Sequence, residues 1–490
     1  MATRLTSVIV VGIVAVTLIA GFMVGAQRDD NDGPVDLIVH NGVVFTGDAE
    51  DMAEAVAVRA NQILKVGSNR EILRLQRPQT VTIDAKGAAV VPGFNDAHLH
   101  LVRGGLTLDG VDLSGAATMD EAVARVKTWA GANPSRRWVV GRGWPGELME
   151  GFDGSIRLTL DDVVRDRPVH LVSEGGDRAW VNTRALKRAN IVRRTPDPAS
   201  GRIVRDAKGE AIGILEGTAV GLTDALLPEP TQEERTRALF AAIAEAQRHG
   251  ITSLQNADGA ALDFELLDGA RKEGAVDMRV YEALPVHTAR TDKDVAALDE
   301  VLKKYPDDPL FKAGGARVAL QAIDADALNK LVRLLDARGW QVMVEADTPE
   351  QAEMARTAFA HAERSNGQPS RERRHRIEHQ NRNFTAVGEK LALGSDWPNG
   401  PLSPLKVIGN AMPRLTLAQA LQAYTVNGAY ASYDEQRKGF IKPGMLADIV
   451  VLSKNIFSLD RLTLGSVNVA HTIFDGRVVY PAPTTRLTIP

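Results

Sequence analysis

Hydrophobic positions near both ends of the chain come in short runs that are typical of β-strands. Two of these runs flank Asn41-Gly42, a dipeptide that predicts a β-hairpin when it lies between apolar segments. Similar runs recur at 55–58, 62–67 and 81–84, and again at 448–452 and 471–480. Because the termini of a domain commonly lie close together, we expect residues 36–90 and 436–485 to form one composite β-sandwich.

The middle of the chain alternates between helical and strand-like patterns. Three helix starts have a Thr followed three residues later by Glu or Gln, which is the pattern of a capping box. Glycines follow two of the predicted helices, and strand-like runs come directly after them. Alternation of this kind predicts a parallel α/β barrel, here over residues 91–435. The helix starts are 118–121, 231–234 and 348–351, and the strand-like runs are 251–255 and 341–344.

Length and composition fit a globular protein of two modules. The chain has 490 residues, of which 44% are hydrophobic and 24% are charged, enough for a barrel and a second module. A formal net charge of -4 gives no electrostatic footprint for nucleic acid. The sequence contains no Cys, so disulfides, thiolate metal ligands and a Cys nucleophile are excluded. Any metal ion must therefore be held by His and carboxylate side chains.

The first 26 residues have the pattern of an export segment. Arg4 precedes an uncharged, mostly apolar run over residues 5–26, and polar residues follow from Gln27 onward. This pattern predicts either a signal peptide or an uncleaved membrane anchor over residues 1–26, since the run is also long enough to span a bilayer. In both cases we expect an exported protein, either periplasmic or anchored and facing outward, with membrane contact only if the segment is uncleaved.

The first candidate for chemistry is a predicted buried strand that ends in two histidines. Residues 91–100 carry His98 and His100, which lie on the same face because strand side chains alternate. Two neighbouring imidazoles at a strand end can bind one divalent metal ion, usually zinc. The pair therefore predicts a metal site at the C-terminal end of the first barrel strand.

Three other predicted strand ends carry candidate ligands. They are Glu345, His379 and Asp396. Each has an ordinary structural interpretation as well: a helix entrance for Glu345, a surface loop for His379 and a turn cap for Asp396. Because the C-terminal ends of barrel strands meet at one face, the set together favours a single site.

These motifs, in this order, resemble the amidohydrolase superfamily, in particular the amidohydrolase 3 (YtcJ-like) family. The resemblance covers residues 36–480 and implies a TIM-like metal-dependent hydrolase barrel with a composite β-sandwich. The stretches that carry it are Pro92-Gly93-Phe94-Asn95-Asp96-Ala97-His98-Leu99-His100, Gly141-Arg142-Gly143-Trp144, Ala179-Trp180-Val181-Asn182, Arg374-His375-Arg376-Ile377-Glu378-His379, Gly394-Ser395-Asp396-Trp397-Pro398 and 439–448.

The resemblance also implies roles for individual residues. His98 and His100 are the ligands of the first strand, and His379 is the histidine of the sixth strand. Asp396 is the aspartate of the eighth strand, which binds metal and accepts the proton of the attacking water. The residues expected to contact a small amide-type substrate are Arg142, Trp144, Asp177 and Trp397.

Three departures from the family pattern concern single residues. The bridging lysine of the fourth strand corresponds to Arg317, which stays protonated and cannot become a carbamate. We therefore expect one divalent ion, preferably zinc, rather than two. Glu345 stands where the family has a histidine, and it either ligates the metal or marks a lost ligand. Asp177 stands where the family has a substrate-facing histidine.

The fourth departure is one of length. Only the 11 residues 380–390 separate His379 from Leu391, whereas a parallel crossover with its helix takes at least about 10–12 residues and a whole unit about 30. A seventh parallel strand and its helix cannot both fit, so we expect an incomplete barrel near the seventh strand.

Two function classes follow from these patterns. The first is an exported metal-dependent hydrolase that cleaves a non-peptide C–N bond by metal-activated water. The second is an inactive relative with a binding or structural role in the cell envelope. An unrelated α/β carbohydrate-binding protein would require the histidine series to be accidental. The oligomeric state is not encoded in any of these patterns.

Overall fold

The computed structural model describes residues 34–48, 51–149, 156–257, 259–286, 291–305, 307–320, 323–380 and 383–481. The apolar run over residues 5–26, predicted to be a signal peptide or a membrane anchor, lies outside these residues. Within the described ranges, no helix combines the length and the apolar character that crossing a membrane requires.

Eight strands form one sheet in which each strand pairs with the next one along the chain. The first six run parallel, and the seventh is antiparallel to both of its neighbours. The strands are β1 (Phe94–Leu99), β2 (Ile251–Asn256), β3 (Arg279–Pro285), β4 (Phe311–Ala319), β5 (Gln341–Glu345), β6 (Arg376–Gln380), β7 (Phe384–Val387) and β8 (Lys390–Leu393).

The two edges of this sheet meet, so the sheet is a nearly closed barrel. The backbone N–H of Asp396, just after β8, donates to the carbonyl of His98 in β1 at 2.8 Å. The N–H of His100 in turn donates to the carbonyl of Trp397 at 2.8 Å. These two hydrogen bonds bring the segment after β8 beside the two histidines of β1.

The seventh strand corrects the expectation of an incomplete barrel. Strand β7 is present, and it pairs antiparallel with both β6 and β8. A tight turn at Gly388 joins β7 to β8, and no helix lies between them. Antiparallel neighbours need only a short turn, whereas parallel neighbours need a crossover. The antiparallel arrangement of β6, β7 and β8 therefore completes eight strands, although the segment between β6 and β8 is too short for a parallel strand with its helix.

Helices cover the outside of the barrel and bury their apolar faces against it. The capping boxes predicted at Thr231 and Thr348 are confirmed, because each Thr accepts from the N–H three residues later and the N3 side chain accepts in return. At Thr118 only the first of these bonds forms, since the Glu121 carboxylate accepts from the N–H of Ala117 instead. The helices that accompany the barrel are Leu101–Leu108, Gln232–Arg248, Ala261–Lys272, Asp292–Lys304, Ala325–Ala337, Pro349–Asn366, Pro404–Ala411, Leu417–Tyr424 and Val426–Ala431.

Strands from both ends of the chain pair in one six-stranded sheet. The strand Ile449–Leu452 lies antiparallel to Ala89–Pro92, and apolar side chains of this sheet and a four-stranded sheet share one cluster. The other strands of the six-stranded sheet are Val43–Phe45, Met52–Ala53, Val469–Phe474 and Arg477–Tyr480, and the four-stranded sheet contains Leu37–His40, Ala55–Arg59, Gln62–Gly67 and Val81–Asp84.

The hairpin predicted at Asn41-Gly42 is wrong. The strands on its two sides belong to different sheets: Leu37–His40 pairs with Ala55–Arg59, and Val43–Phe45 pairs with Ala89–Pro92. The dipeptide does make a tight turn, with Asn41 at a φ of 53°. Tertiary pairing decides which partner each strand finds, so the turn passes the chain from one sheet to the other.

A second six-stranded sheet lies between β1 and β2 in the chain, and no sequence pattern predicted it as a separate unit. Its strands, in sheet order, are Gly201–Arg205, Ala211–Gly217, Arg178–Val181, Val169–Ser173, Val139–Trp144 and Val111–Asp112. We call it the inserted sheet. Its helices are Met119–Ala132, Arg157–Val163, Thr183–Arg188 and Gly221–Asp224.

Candidate metal centre

Strand β1 places its histidines at the open end of the barrel, as the alternation of strand side chains predicts. His98 and His100 are both buried, at 3% and 2% exposure. The Nε2 atoms of His100 and His98 lie 3.1 and 3.7 Å from Oδ1 of Asp396. The residues predicted from β1 and from the end of β8 therefore meet at one point.

His379 and Asp396 reach this point only because of unusual backbone conformations. Both adopt left-handed φ values, 63° for His379 and 54° for Asp396. Non-glycine residues rarely adopt such values, and those that do cluster at functional sites. In a regular strand His379 would face away from Glu378, but the irregularity of β6 between Ile377 and Gln380 turns both side chains toward the centre.

Two imidazoles face each other across the centre. The Nε2 atoms of His98 and His379 are 3.0 Å apart. The Nδ1–H of His98 donates to Glu378 at 2.9 Å and that of His379 to Asp347 at 3.3 Å, so each neutral ring presents a lone pair at Nε2. Facing lone pairs repel unless a proton or a cation lies between them. Two nitrogens at about 2.0–2.1 Å from one zinc ion would have about this separation.

The potential ligand atoms form two overlapping triads. His98, His100 and Asp396 form one, and His98, Glu345 and His379 form the other. Within each triad the ligand atoms all lie within 4.8 Å of one another. Neutral imidazoles with one or two carboxylates are a donor set that suits zinc, so the residues present fit one divalent ion.

Glu378 fixes the orientation of His98, and the sequence analysis assigned it no role. Its carboxylate is fully buried and accepts from the Nδ1–H of His98 at 2.9 Å. Burial alone would raise the pKa of Glu378, but the charge of Arg376 and the hydrogen bond from His98 hold it well below its usual range. A charged carboxylate behind a ligating imidazole fixes the tautomer and directs Nε2 at the metal. In the sequence, the position of Glu378 directly before His379 at a predicted strand end was the one signal that could have indicated this role.

We expect Glu378→Gln to weaken zinc binding by about 10–100-fold, because an amide holds the His98 tautomer less firmly than a carboxylate does. Competition with a chromogenic chelator measures this affinity. Asp336→Asn is a matched control, since Asp336 is also a buried carboxylate that contacts a histidine, His375 at 2.9 Å, away from the centre. An unchanged zinc affinity in Glu378→Gln, with the fold intact, would contradict this role.

Asp96 joins the segment after β8 to β1 beneath the centre. Its buried carboxylate accepts from the N–H of Ser395 at 3.0 Å, from the N–H of His98 at 3.2 Å and from the hydroxyl of Tyr424 at 2.8 Å. Burial raises the pKa of Asp96 to about 6, although these hydrogen bonds lower it. Asp96 therefore positions the backbone on both sides of the centre.

Glu345 lies beside the centre, and Arg317 binds it. The Arg317 guanidinium donates from Nε to Oε1 and from Nη2 to Oε2 of Glu345, both at 2.6 Å. Oε1 of Glu345 lies 3.9 Å from Nε2 of His98 and 3.7 Å from Nε2 of His379. The assignment of Glu345 as a ligand stays a prediction, in which its carboxylate would be shared between the metal and Arg317.

The charges around His379 predict that metal binding at this centre depends on pH. Burial alone lowers the pKa of His379, but the hydrogen bond to Asp347 and the charges of Asp396 and Glu345 raise it to about 9. Below that pH the metal-free protein holds a proton that zinc must displace. We expect the Kd for zinc to fall about tenfold per pH unit from pH 7 to 9 and then to level off.

Zinc titrations at four pH values test this expectation, and proton release is measured in weakly buffered solution. Asp347→Asn removes one of the groups that raise the pKa of His379, so the levelling should begin at lower pH. A Kd that is constant between pH 7 and 9 would contradict the protonation of His379.

A cavity of about 1200 Å³ lies between the barrel and the inserted sheet, and His100 is the candidate ligand that lines it. His100 and Trp397 line it on the barrel side, and Arg142 lines it on the side of the inserted sheet. Two of the four predicted substrate-binding residues, Arg142 and Trp397, therefore face this cavity. A side chain at position 104 would collide with the Trp397 ring, since a Cβ there would lie 2.0 Å from it.

Trp144 and Asp177 do not line this cavity. Trp144 is fully buried in the core of the inserted sheet, where its indole N–H donates to the carbonyl of Leu171 at 2.8 Å. Asp177 accepts from the hydroxyl of Ser173 at 3.2 Å. The structure therefore does not support a substrate contact for Trp144, because a fully buried side chain cannot reach a ligand in the cavity.

A β-bulge explains why Arg142 and Trp144 point in opposite directions. Arg142 pairs with Val172 and Trp144 pairs with Ser173, so Gly143 is an extra residue. Gly143 has a φ of 84°, a conformation that favours glycine. Without the bulge, the two side chains would share a face by the alternation rule. The bulge directs Trp144 into the core and leaves Arg142 on the cavity side.

The chain is similar to known proteins over most of its length. The chain is 28% identical to YtcJ of Bacillus subtilis over 525 residues, which is 90% of this chain and 99% of that protein. It is 25% identical to the N-substituted formamide deformylase of Arthrobacter pascens over 532 residues, which is 91% of this chain and 98% of that protein.

Solved structures show the same fold. An uncharacterized metal-dependent hydrolase from Pyrococcus furiosus superimposes with a TM-score of 0.61 at 20% identity, over 84% of this chain and 98% of that one. The sequence profile of the Amidohydrolase family matches residues 81–386 and 382–480, which include β1 to β8 and the whole candidate centre. The chain therefore belongs to the Amidohydrolase family.

Proposed function

We propose that this protein is a metal-dependent hydrolase that cleaves a non-peptide C–N bond of a small amide, N-acyl or carbamate-like substrate. The observation that carries the proposal is the convergence of His98, His100, His379 and Asp396 at one point, of which His100 lines the cavity. Support also comes from the family and from the relative named for deformylation of N-substituted formamides.

The residues divide the work between holding a metal and moving a proton. His98, His100 and His379 would hold one divalent ion, for which zinc is preferred. Such an ion, when bound, lowers the pKa of a water and polarises a carbonyl. Asp396 is the proton acceptor at this centre, and it can return the proton to the leaving nitrogen. Burial raises the pKa of Asp396, but His100, His98 and His379 lower it below its usual value, so it is ionised at neutral pH.

One ion rather than two fits the residues at the centre. The Arg317 guanidinium stays protonated, so it holds a fixed positive charge beside the carboxylate of Glu345. A second cation beside this charge would be repelled. We propose a stoichiometry of one tightly bound ion per chain, and two equivalents of zinc surviving dialysis would contradict it.

A second candidate function is that of an inactive relative that binds without turnover. The observation that favours it is the same ion pair, because both carboxylate oxygens of Glu345 are engaged by Arg317. In that case the centre would lack one carboxylate ligand and would bind metal weakly.

One experiment separates these candidates. The full chain is purified without chelators, its metal content is measured by mass spectrometry, and the turnover of N-formyl and N-acyl amines is followed before and after metal removal. We expect about one equivalent of zinc and turnover that zinc restores. Stoichiometric zinc without turnover of any amide in a broad panel favours the inactive relative.

Glu345 offers a direct test of the ligand set. If Glu345 is a ligand, Glu345→Ala should weaken zinc binding by about tenfold or more, since one bond to the ion is lost. Glu345→Gln is the matched variant, because it keeps the shape and a hydrogen bond to Arg317 but lacks the charge. Unchanged zinc affinity in both variants, measured by chelator competition, would show that Glu345 only neutralises Arg317.

The location of the protein is a proposal that rests on sequence alone. We propose that residues 1–26 direct export, so that the catalytic body faces the outside of the cytoplasmic membrane, because the apolar run after Arg4 has the pattern of an export segment. Fractionation of cells that express the full chain tests it. Recovery of the protein with the cytosol would contradict the proposal.

A further inference from the structure

Two neighbouring strands of the inserted sheet contribute two polar and two apolar side chains to the wall of the cavity. Strands Val139–Trp144 and Val169–Ser173 are parallel, with Val140 opposite His170 and Arg142 opposite Val172. Because side chains two apart share a face, all four project to one side, and all four line the cavity. Arg142 and His170 are diagonal neighbours on this face, which we call the sheet wall.

Arg142 lacks a partner of its own. Its Nε is buried without a hydrogen bond, and in the part of the chain that the structure describes no carboxylate forms an ion pair with it. Asp112, opposite it on the next strand, accepts from the N–H of Ser114 at 2.9 Å. Glu245 is the other acid whose pKa is lowered by the charge of Arg142, and it contacts His249 at 3.4 Å. Both acids therefore have other partners.

His170 has an unsatisfied nitrogen on the same wall. Its ring is 2% exposed, and Nδ1 lies 3.0 Å from the hydroxyl of Thr223. Nε2 is buried without a hydrogen bond, and the nearby carboxylate of Asp224 lies 3.8 Å away, beyond hydrogen-bond distance. A buried polar atom without a partner is unfavourable, and a ligand in the cavity could supply the missing partner.

We propose that Arg142 and His170 form a carboxylate-recognition subsite for the substrate of the metal centre. The inference rests on the proposed hydrolase function and adds that the substrate carries a carboxylate away from the scissile bond. The planar fork of Arg142 matches a carboxylate in a bidentate geometry. His170 makes a further hydrogen bond, and Val140 and Val172 pack against the apolar part of the substrate.

A carboxylate fits this subsite better than a phosphate does. Asp112 and Glu245 both lie within the range of the charge on Arg142. A monoanion is repelled less by these two acids than a dianion. The sheet wall therefore favours a singly charged group over a doubly charged one.

Matched probes test the subsite on the full chain loaded with zinc. N-Formyl-L-leucine and N-formyl-3-methylbutylamine share one skeleton and differ in the carboxylate, and further N-formyl amino acids with their decarboxylated analogues complete the panel. Equilibrium binding is measured by calorimetry for probes that are not hydrolysed, and KM values are compared for probes that are. We expect at least one acid of the panel to bind about tenfold or more tighter than its neutral analogue.

Variants assign that preference to residues. Arg142→Gln should abolish the preference for the acid, and Arg142→Lys should keep part of it because the charge remains without the fork. Arg103→Gln is the matched control, since it removes another arginine of the same cavity that is exposed, and it should keep the preference. His170→Phe should weaken binding of the acid while its melting temperature shows that the fold is kept.

The outcomes separate the subsite from the proposed reaction. No preference for any acid in the unaltered protein, or an equal preference in Arg142→Gln, overturns the subsite even if the probes are hydrolysed. A preference that Arg142→Gln removes supports the subsite, and if no probe is then hydrolysed in the presence of zinc, it is the proposed reaction that fails.

Discussion

Asp396→Asn is expected to lower kcat by about 10²–10⁴-fold while KM changes little, because the lost group is a proton acceptor rather than a binding contact. Oδ1 of Asp396 lies 3.1 Å from Nε2 of His100 and within 3.8 Å of Nε2 of both His98 and His379. An asparagine keeps the shape and can still contact the histidines. It cannot accept the proton of a water, so the chemical step loses its base.

Steady-state kinetics on the best amide of the panel, with zinc content measured on the same sample, check this prediction. Equal zinc content in both proteins is needed to assign the loss to proton transfer. Glu174→Gln is the control, since it removes an exposed carboxylate from the wall of the same cavity. Full turnover in Asp396→Asn would show that another group accepts the proton.

His98→Ala is expected to remove metal and activity together. His98 belongs to both triads of potential ligands, and its Nε2 lies 3.0 Å from Nε2 of His379. Its loss removes a nitrogen ligand and leaves the buried carboxylate of Glu378 without its imidazole partner. His100→Ala, which removes a member of one triad, should also lose metal during dialysis.

Metal content after dialysis and turnover in the presence of added zinc measure both effects. His249→Ala is the control, because His249 also lines the cavity but contacts Glu245 rather than the centre. Retention of one equivalent of zinc by His98→Ala would place the metal elsewhere. Restoration of activity by excess zinc would show that His98 strengthens zinc binding but is not indispensable as a ligand.

The alternating pattern of the sequence determined much of the fold and part of the centre. Capping boxes at Thr231 and Thr348 were predicted correctly because they depend on residues three positions apart. The prediction that His98 and His100 lie on one face also depended only on nearby residues, because side chains two apart on a strand share a face. The approach of Asp396 to this pair was predicted from the rule that the C-terminal ends of barrel strands meet.

Other parts of the fold depended on partners far away in the chain. The turn at Asn41-Gly42 does not form a hairpin, because its flanking strands pair with Ala55–Arg59 and Ala89–Pro92 instead. The sequence showed correctly that too few residues precede β8 for a parallel seventh strand with its helix. It did not predict that β7 would instead run antiparallel to its neighbours. Strand pairing is a tertiary choice that local propensity does not encode.

The centre itself shows the same division. The sequence predicted His98, His100, His379 and Asp396, since residue type and strand ends are visible in it. Only the tertiary structure showed that a left-handed backbone turns His379 inward beside Glu378. The sequence did not predict the direction of His379, because the alternation rule holds only where the backbone of a strand is regular.

The bulge at Gly143, which sends Trp144 into the core, and the ion pair of Arg317 with Glu345 were decided in the same way. The sequence lists which groups are present and, where the backbone is regular, the face on which each lies. Bulges, positive φ values and contacts between distant strands set the final direction of each side chain, because their energies depend on neighbours that only the folded chain brings together.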